Sequence, residues 1–278
     1  MAYYGKLPIV LLSELAAGRA DSYNCRIASY LLGRMGQSVN VEEIARECYV
    51  SKSAVSRFCR DVGLEDFSEL RDLLLASEGY FGSVAPGLPA REQAERFCAL
   101  ASDSMRLVAE SLDPAALDRL AAEIAGAERV ACFGMLKAET AALALQSDLV
   151  MLGKRAVTKV AFQEQMELLA SAGPETLVLV FSYRGVYFDY GLPRDILKGR
   201  PRLWVVTGSR DAKARLRRAG VPVNGVLSFA SRQDFASHPY QLLLAAGLIA
   251  QRTAEHLRQP PEGSTEKCMK SKLLPPQP

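Results

Sequence analysis

Hydrophobic positions divide the chain into two unlike parts. In the first eighty residues, 7–17 is apolar with little polar patterning and predicts a short helix, and beyond it hydrophobic positions recur at three- and four-residue steps, which predicts helices over 22–32, 41–48, 51–60 and 66–77. Cys25, Ile27, Ala28, Leu31 and Leu32 form the expected buried stripe of the second, ended by Gly33 and Gly36. Gly63-Leu64 breaks the fourth. Five helices this short, this close together, predict a compact all-α domain over 1–78.

The pattern then changes. Gly79, Gly82, Pro86, Gly87 and Pro89 fall in a stretch with few periodic apolar residues, read as a linker over 79–90. Helical periodicity returns over 91–112 and 114–125, after which continuous apolar runs alternate with helices. Strands are expected at 129–133, 155–160, 176–181, 202–207 and 225–229, and helices at 137–152, 163–170, 212–219 and 239–257. Strands that are apolar throughout and separated by helices imply a parallel sheet covered on both faces, an α/β domain over 91–258. The last stretch, 259–278, holds five prolines and no apolar period and is read as a disordered tail.

The third and fourth helices carry candidate chemistry. Ile44 and Ala45 face inward on the third, the small Ala45 lets the pair cross closely, and a tight turn at Tyr49-Val50 leads into the fourth. There Ser51 can cap the helix start, and Ala54, Val55 and Phe58 form the inward stripe. The opposite face carries Lys52, Ser53, Ser56, Arg57 and Arg60, hydroxyls and cations of the kind that contact phosphates and base edges. With Ser51 these are the candidate DNA-binding residues. By periodicity alone the same pattern also fits an ordinary helix pair with a solvated polar face.

Composition narrows the classes further. The formal net charge of +3 argues for no nucleic acid partner by itself, so a DNA-binding surface here must concentrate its cations on one face. Six cysteines lie without CxxC or Cys/His spacing, which disfavours a disulfide scaffold or a metal site. No uncharged run is long enough to span a bilayer, and the first residues lack a basic region followed by an apolar core, so a cytoplasmic protein without membrane contact is expected. Arg194, Lys198, Arg200, Arg202, Arg210, Lys213, Arg215, Arg217 and Arg218 face only Asp195 and Asp211. That run is read as a solvated helix face, or else as extra phosphate contact or a dock for an acidic partner.

The block Val50-Ser51-Lys52-Ser53-Ala54-Val55-Ser56-Arg57-Phe58, followed by Gly63 and Phe67, resembles the DNA-binding domain of the RpiR family of bacterial transcriptional regulators in order and spacing. Residues 91–258 are similar to the sugar isomerase (SIS) domain that such regulators carry. The resemblance implies a homodimer or homotetramer that reads an inverted-repeat operator in double-stranded DNA, and an SIS-like domain that senses a phosphosugar.

Two loops depart from that pattern. Phosphosugar-binding SIS domains have glycine-x-glycine-x-serine after the first strand, where this chain has Gly134-Met135-Leu136-Lys137-Ala138. After the third strand they have serine-x-serine-glycine-x-threonine, here Ser182-Tyr183-Arg184-Gly185-Val186-Tyr187. Either the pocket is lost and the domain is an oligomerisation scaffold, or it takes a small phosphorylated or carboxylated anion held by Gly134, Lys137, Ser182, Arg184 and Gly185, with Tyr187 as an apolar wall. An SIS-type isomerase would need a base. Glu164, Glu167, His238 and His256 are candidates by location alone. With both phosphate loops altered, no catalytic residue, cofactor or metal is assigned and a non-enzyme is expected.

Overall fold

The computed structural model describes residues 6–18, 21–77, 85–190, 201–232, 234 and 236–258. Five helices open the chain: α1 (Lys6–Ala17), α2 (Tyr23–Leu32), α3 (Val41–Glu47), α4 (Lys52–Asp61) and α5 (Phe67–Leu75). Four of them start alike. Ser22, Asn40, Ser51 and Asp66 each accept a hydrogen bond from the backbone N–H three residues on, which satisfies a donor the helix leaves free. Leu7, Leu11, Ile27, Leu31, Ile44, Val55, Phe58 and Leu70 fill the core between them, all fully buried.

The second part is a five-stranded parallel sheet in the order β2-β1-β3-β4-β5, with β1 (Arg129–Gly134), β2 (Ala156–Thr158), β3 (Thr176–Phe181), β4 (Arg202–Thr207) and β5 (Gly225–Ser228). Every residue of β3 is buried, as expected for a central strand covered on both faces. Its side chains alternate. Leu177, Leu179 and Phe181 pack with helices α6 (Ala90–Ser111), α7 (Pro114–Gly126), α8 (Lys137–Met151) and α11 (Tyr240–Arg258). Val178 and Val180 pack on the other face, under α9 (Phe162–Ser171) and α10 (Ala212–Arg218). The expected fold class, an all-α domain followed by an α/β domain with a covered parallel sheet, is the one observed.

Two details differ from expectation. The strand expected over 155–160 is three residues long, because β2 is an edge strand held by β1 alone. A 3-10 turn at Tyr187–Tyr190 follows β3, and it carries Tyr187 into the core.

The two parts touch. Helix α1 packs on α9, and the apolar core of the helical part runs on into the sheet face beneath α9. Ser13, 1% exposed, donates its hydroxyl to the Val160 carbonyl at 3.1 Å. Of the expected linker, residues 79–84 lie outside the described residues, as do the whole tail 259–278 and Arg194, Lys198 and Arg200 of the basic run.

Candidate functional site

The α3–α4 pair has the geometry its pattern predicts. Tyr49, at φ 54°, makes the tight turn between the helices, and its ring is 88% exposed. Helix α4 then turns Val55, Phe58 and Cys59 fully inward, which leaves Ser51, Lys52, Ser53, Ser56, Arg57 and Arg60 all exposed. Sequence spacing alone set this division, since one residue in three or four must face the core.

Local bonds organise the exposed face. Ser51 Oγ accepts from Ala54 N–H at 3.1 Å and sits 2.8 Å from Ser53 Oγ, so it fixes the helix start as well as facing solvent. Lys52 is paired with Glu42 of α3, both side chains being 64% exposed. An exposed pair of this kind contributes little to stability, and a phosphate can replace the carboxylate. Tyr23 donates to Asp61 at 2.8 Å, and the Arg57 guanidinium stands beside that phenol. Arg57 therefore lies next to the Tyr23–Asp61 pair at the end of α4, with its side chain exposed.

The second candidate site lies at the carboxyl end of the sheet. Strands β1 and β3 are neighbours, with Gly134 in register with Phe181, and their outgoing loops turn to opposite faces: α8 packs on one, Tyr187 and Phe188 on the other. This is the switch point of an open parallel sheet, where a crevice forms outside the strand ends. Gly134 is required there. A Cβ on it would lie 2.6 Å from the Ala138 carbonyl oxygen, because β1 runs almost directly into α8.

Leu136 holds φ 54° and ψ −118°, a conformation that suits glycine and strains a leucine. The loop thus keeps the backbone path of a glycine-containing turn without the glycine. After β3, Gly185 takes φ 69° and donates its N–H to the Ser182 carbonyl at 2.9 Å. Ser182 Oγ accepts from Tyr187 N–H at 3.1 Å. These bonds close the second loop into a tight turn.

The side chains divide otherwise than expected. Gly134, Lys137, Ser182 and Gly185 stand at the ends of β1 and β3, whereas Arg184 is exposed to solvent. Tyr187 does not wall the crevice: its ring is 2% exposed, packs edge-on to Phe162 and donates to Gln165 Oε1 at 2.7 Å. Tyr183, the neighbouring aromatic, is buried on the α8 and α11 side of the sheet. Its hydroxyl donates to Gln241 Oε1 at 2.9 Å and bonds Ser231, and its ring stacks on His238 with centroids 4.5 Å apart. In the sequence Tyr183 falls at the unconstrained position of the serine-x-serine-glycine pattern and carries no signal of its own. Its partners Ser231, His238 and Gln241 come from later in the chain, and no spacing rule links them to it.

Two titratable groups beside this crevice are strongly shifted. Burial holds the His238 imidazole neutral, with help from the nearby Lys137 charge, and lowers its pKa to about 4. Glu139, in the first turn of α8 and 6% exposed, is pushed by burial to about 7. Sequence reading passed over Glu139; the signal was an acidic residue five positions after the glycine that ends β1. The other candidate bases face away. Glu164 and Glu167 are exposed on α9, the former 3.6 Å from Lys159, and His256 is 3.0 Å from Asp118 on α7. Among the described residues no group of acidic, histidine and cysteine side chains has the arrangement of a metal site, and no helix is long and apolar enough to cross a membrane.

Residues 20–78 match the helix-turn-helix domain of the rpiR family. An uncharacterized HTH-type transcriptional regulator of Providencia stuartii is 27% identical over 181 residues, 62% of this chain and 64% of that protein. The match therefore spans a little under two thirds of that relative's length. Among solved structures, the Vibrio vulnificus NanR protein complexed with ManNAc-6P is similar over 90% of each chain, at 17% identity and a TM-score of 0.49. The sugar isomerase domain of an RpiR transcription factor from Sphaerobacter thermophilus is similar over 59% of this chain and 96% of its own, at 20% identity and a TM-score of 0.45. Likenesses this distant say nothing about activity. The family match covers α2 through α5, the α3–α4 pair included, so the N-terminal part of this chain is a helix-turn-helix domain of the RpiR family.

Proposed function

We propose that this chain is a transcriptional regulator that binds double-stranded DNA through α4 and works as a homodimer or homotetramer. The observation that carries the reading is the exposed face of α4. Lys52, Ser53, Ser56, Arg57 and Arg60 are presented together, with Ser51, by a helix whose other face is fully buried. Such a helix enters a major groove with its polar face on phosphates and base edges. A domain that offers one recognition helix reads a few base pairs, and a two-fold pair of them reads an inverted repeat. The site of action is then the cytoplasm, where the DNA is.

The α/β domain, in this proposal, takes a small phosphorylated or carboxylated metabolite at the β1/β3 crevice, and needs no cofactor. Support comes from the retained loop paths at Leu136 and Gly185 and from Lys137 at the start of α8. The exposed Arg184 can fold over an anion there. An isomerase role would fall to Glu139 or His238, because Glu164 and Glu167 are exposed and His256 is paired with Asp118.

The test is selection of bound fragments from genomic DNA with the full chain, followed by footprinting. The expected footprint is an inverted repeat with half-site centres about one helical turn apart, or a multiple. A single unpaired half-site would remove the dimer, and absence of any preferred fragment would remove the regulator. Measurable interconversion of phosphosugars by the purified chain would favour the enzyme.

A further inference from the structure

One buried amide joins both crevice loops to the DNA-binding domain. Gln165, on α9, is fully buried. Its Nε2 donates to the Gly134 carbonyl at the end of β1 and to the Lys159 carbonyl ahead of α9, each at 2.8 Å, and reaches the Val160 carbonyl at 3.4 Å. Its Oε1 accepts from Tyr187 at 2.7 Å, and the backbone N–H of that same tyrosine is held by Ser182 Oγ. The orientation of the amide follows from its partners: carbonyls on one side can only accept, and a phenol on the other can donate. The Val160 carbonyl is also where Ser13 of α1 binds. No other side-chain chemistry at position 165 offers two donors and an acceptor at this reach; a glutamate would set a carboxylate against carbonyl oxygens.

We infer that Gln165 is the positioning residue through which the β1 and β3 loops set the seating of α1, and with it of the helix-turn-helix domain, on the α/β domain. The inference rests on the regulator reading, since it gives an effector at the crevice a physical route to the DNA-binding helices. A ligand that moves the Gly134 or Ser182 loop pulls on an amide that has no water to fall back on. A buried network of this kind rearranges as a unit, because leaving one member unpaired is costly. The Val160 carbonyl then shifts relative to Ser13. Coupling of this sort is reciprocal, so the seating of α1 must also act on the loops.

Amide hydrogen exchange on the full chain tests this with neither DNA nor effector present, so its failure is distinct from failure of the regulator reading, which operator selection decides. Tyr187→Phe removes one hydroxyl from the network and keeps the ring packing. It should speed exchange across Lys6–Ala17 a few-fold to about tenfold, the effect of one lost buried hydrogen bond, with α11 unchanged as an internal control. Ser13→Ala should reciprocally speed exchange at the loop after β1, and the double variant should be less than additive. Thr158→Val removes a hydroxyl bond of similar kind, to the Cys132 carbonyl at 2.6 Å, outside the network. It should leave α1 unaffected. Unchanged α1 exchange in Tyr187→Phe, or an equal change in Thr158→Val, would overturn the inference. Gln165→Met, which removes every bond of the network at once, should exceed Tyr187→Phe if it folds.

Discussion

The two candidate sites differ in what makes them. On α4 the buried stripe is the scaffold, and the candidate contacts are the residues left over, so scaffold and contacts sit on one helix and share one period. At the β1/β3 crevice, position is fixed by backbone path. Gly134 is needed because a Cβ would strike Ala138, and Leu136 takes a glycine's conformation. The side chains grouped there come from three stretches far apart in the chain: Lys137, then Tyr183, then Ser231, His238 and Gln241. A helix face can exchange its polar residues without disturbing its core. The crevice cannot, because its walls are also its packing.

The largest expected effect separates core from face within α4. Phe58→Ala should cost about 3–5 kcal/mol in urea unfolding, the usual loss for a fully buried phenylalanine. Arg57→Ala and Lys52→Ala should stay within about 0.5 kcal/mol of the parent, since both side chains are exposed. A large loss at Arg57 would mean that its place beside Tyr23 and Asp61 is structural, and the face would have to be redrawn without it.

The crevice should show itself through pH. Glu139 keeps its proton up to about 7 in the fold but loses it near 4.5 when unfolded, so it makes stability fall as pH rises through that window. His238 does the opposite. Its folded value of about 4 lies below the ordinary 6.5, so stability rises with pH between those values. The two contributions oppose each other between about pH 4.5 and 6.5. Glu139→Gln should therefore uncover a rise with pH there, approaching ~1.4 kcal/mol per unit, and His238→Gln a fall. Parallel profiles for parent and both variants, from urea titrations across pH 4–8, would show that neither group is shifted.

Which of this was legible in the sequence follows from the same contrast. The α4 face could be read from period alone, and so could β3 and β4, whose continuous apolar runs gave Thr176–Phe181 and Arg202–Thr207 to the residue. The β1 and β3 loops could be found by resemblance, but not the disposition of their side chains. Tyr183 and Tyr187 stand four residues apart in one loop, yet one packs on the α11 side of the sheet and the other under α9. That split is decided by the turn at Gly185. Gln165 was invisible for a related reason: a glutamine on a helix reads as solvated, and its four partners lie up to 31 positions away.

The smallest expected effect concerns Leu136. At an ordinary position glycine is less stable than alanine, because the unfolded chain gains freedom. Here the order should invert. Leu136→Gly should exceed Leu136→Ala in stability by about 1 kcal/mol, since alanine keeps the strain of a positive φ and glycine does not. Alanine as the more stable variant would mean that the loop relaxes once the leucine is gone, and that its path is not fixed by its surroundings.

The central claim is that the exposed face of α4 reads DNA. Its most direct test is the affinity of the full chain for a selected operator, measured by fluorescence anisotropy over a salt series for the parent, Lys52→Ala and Arg57→Ala. A side chain on a phosphate should, when removed, weaken binding to all sequences and lower the slope of log affinity against log salt by about one. One on a base edge should cost about 1–3 kcal/mol and relax preference at one position of each half-site. Affinity and slope that stay at the parent's values in both variants would contradict the account.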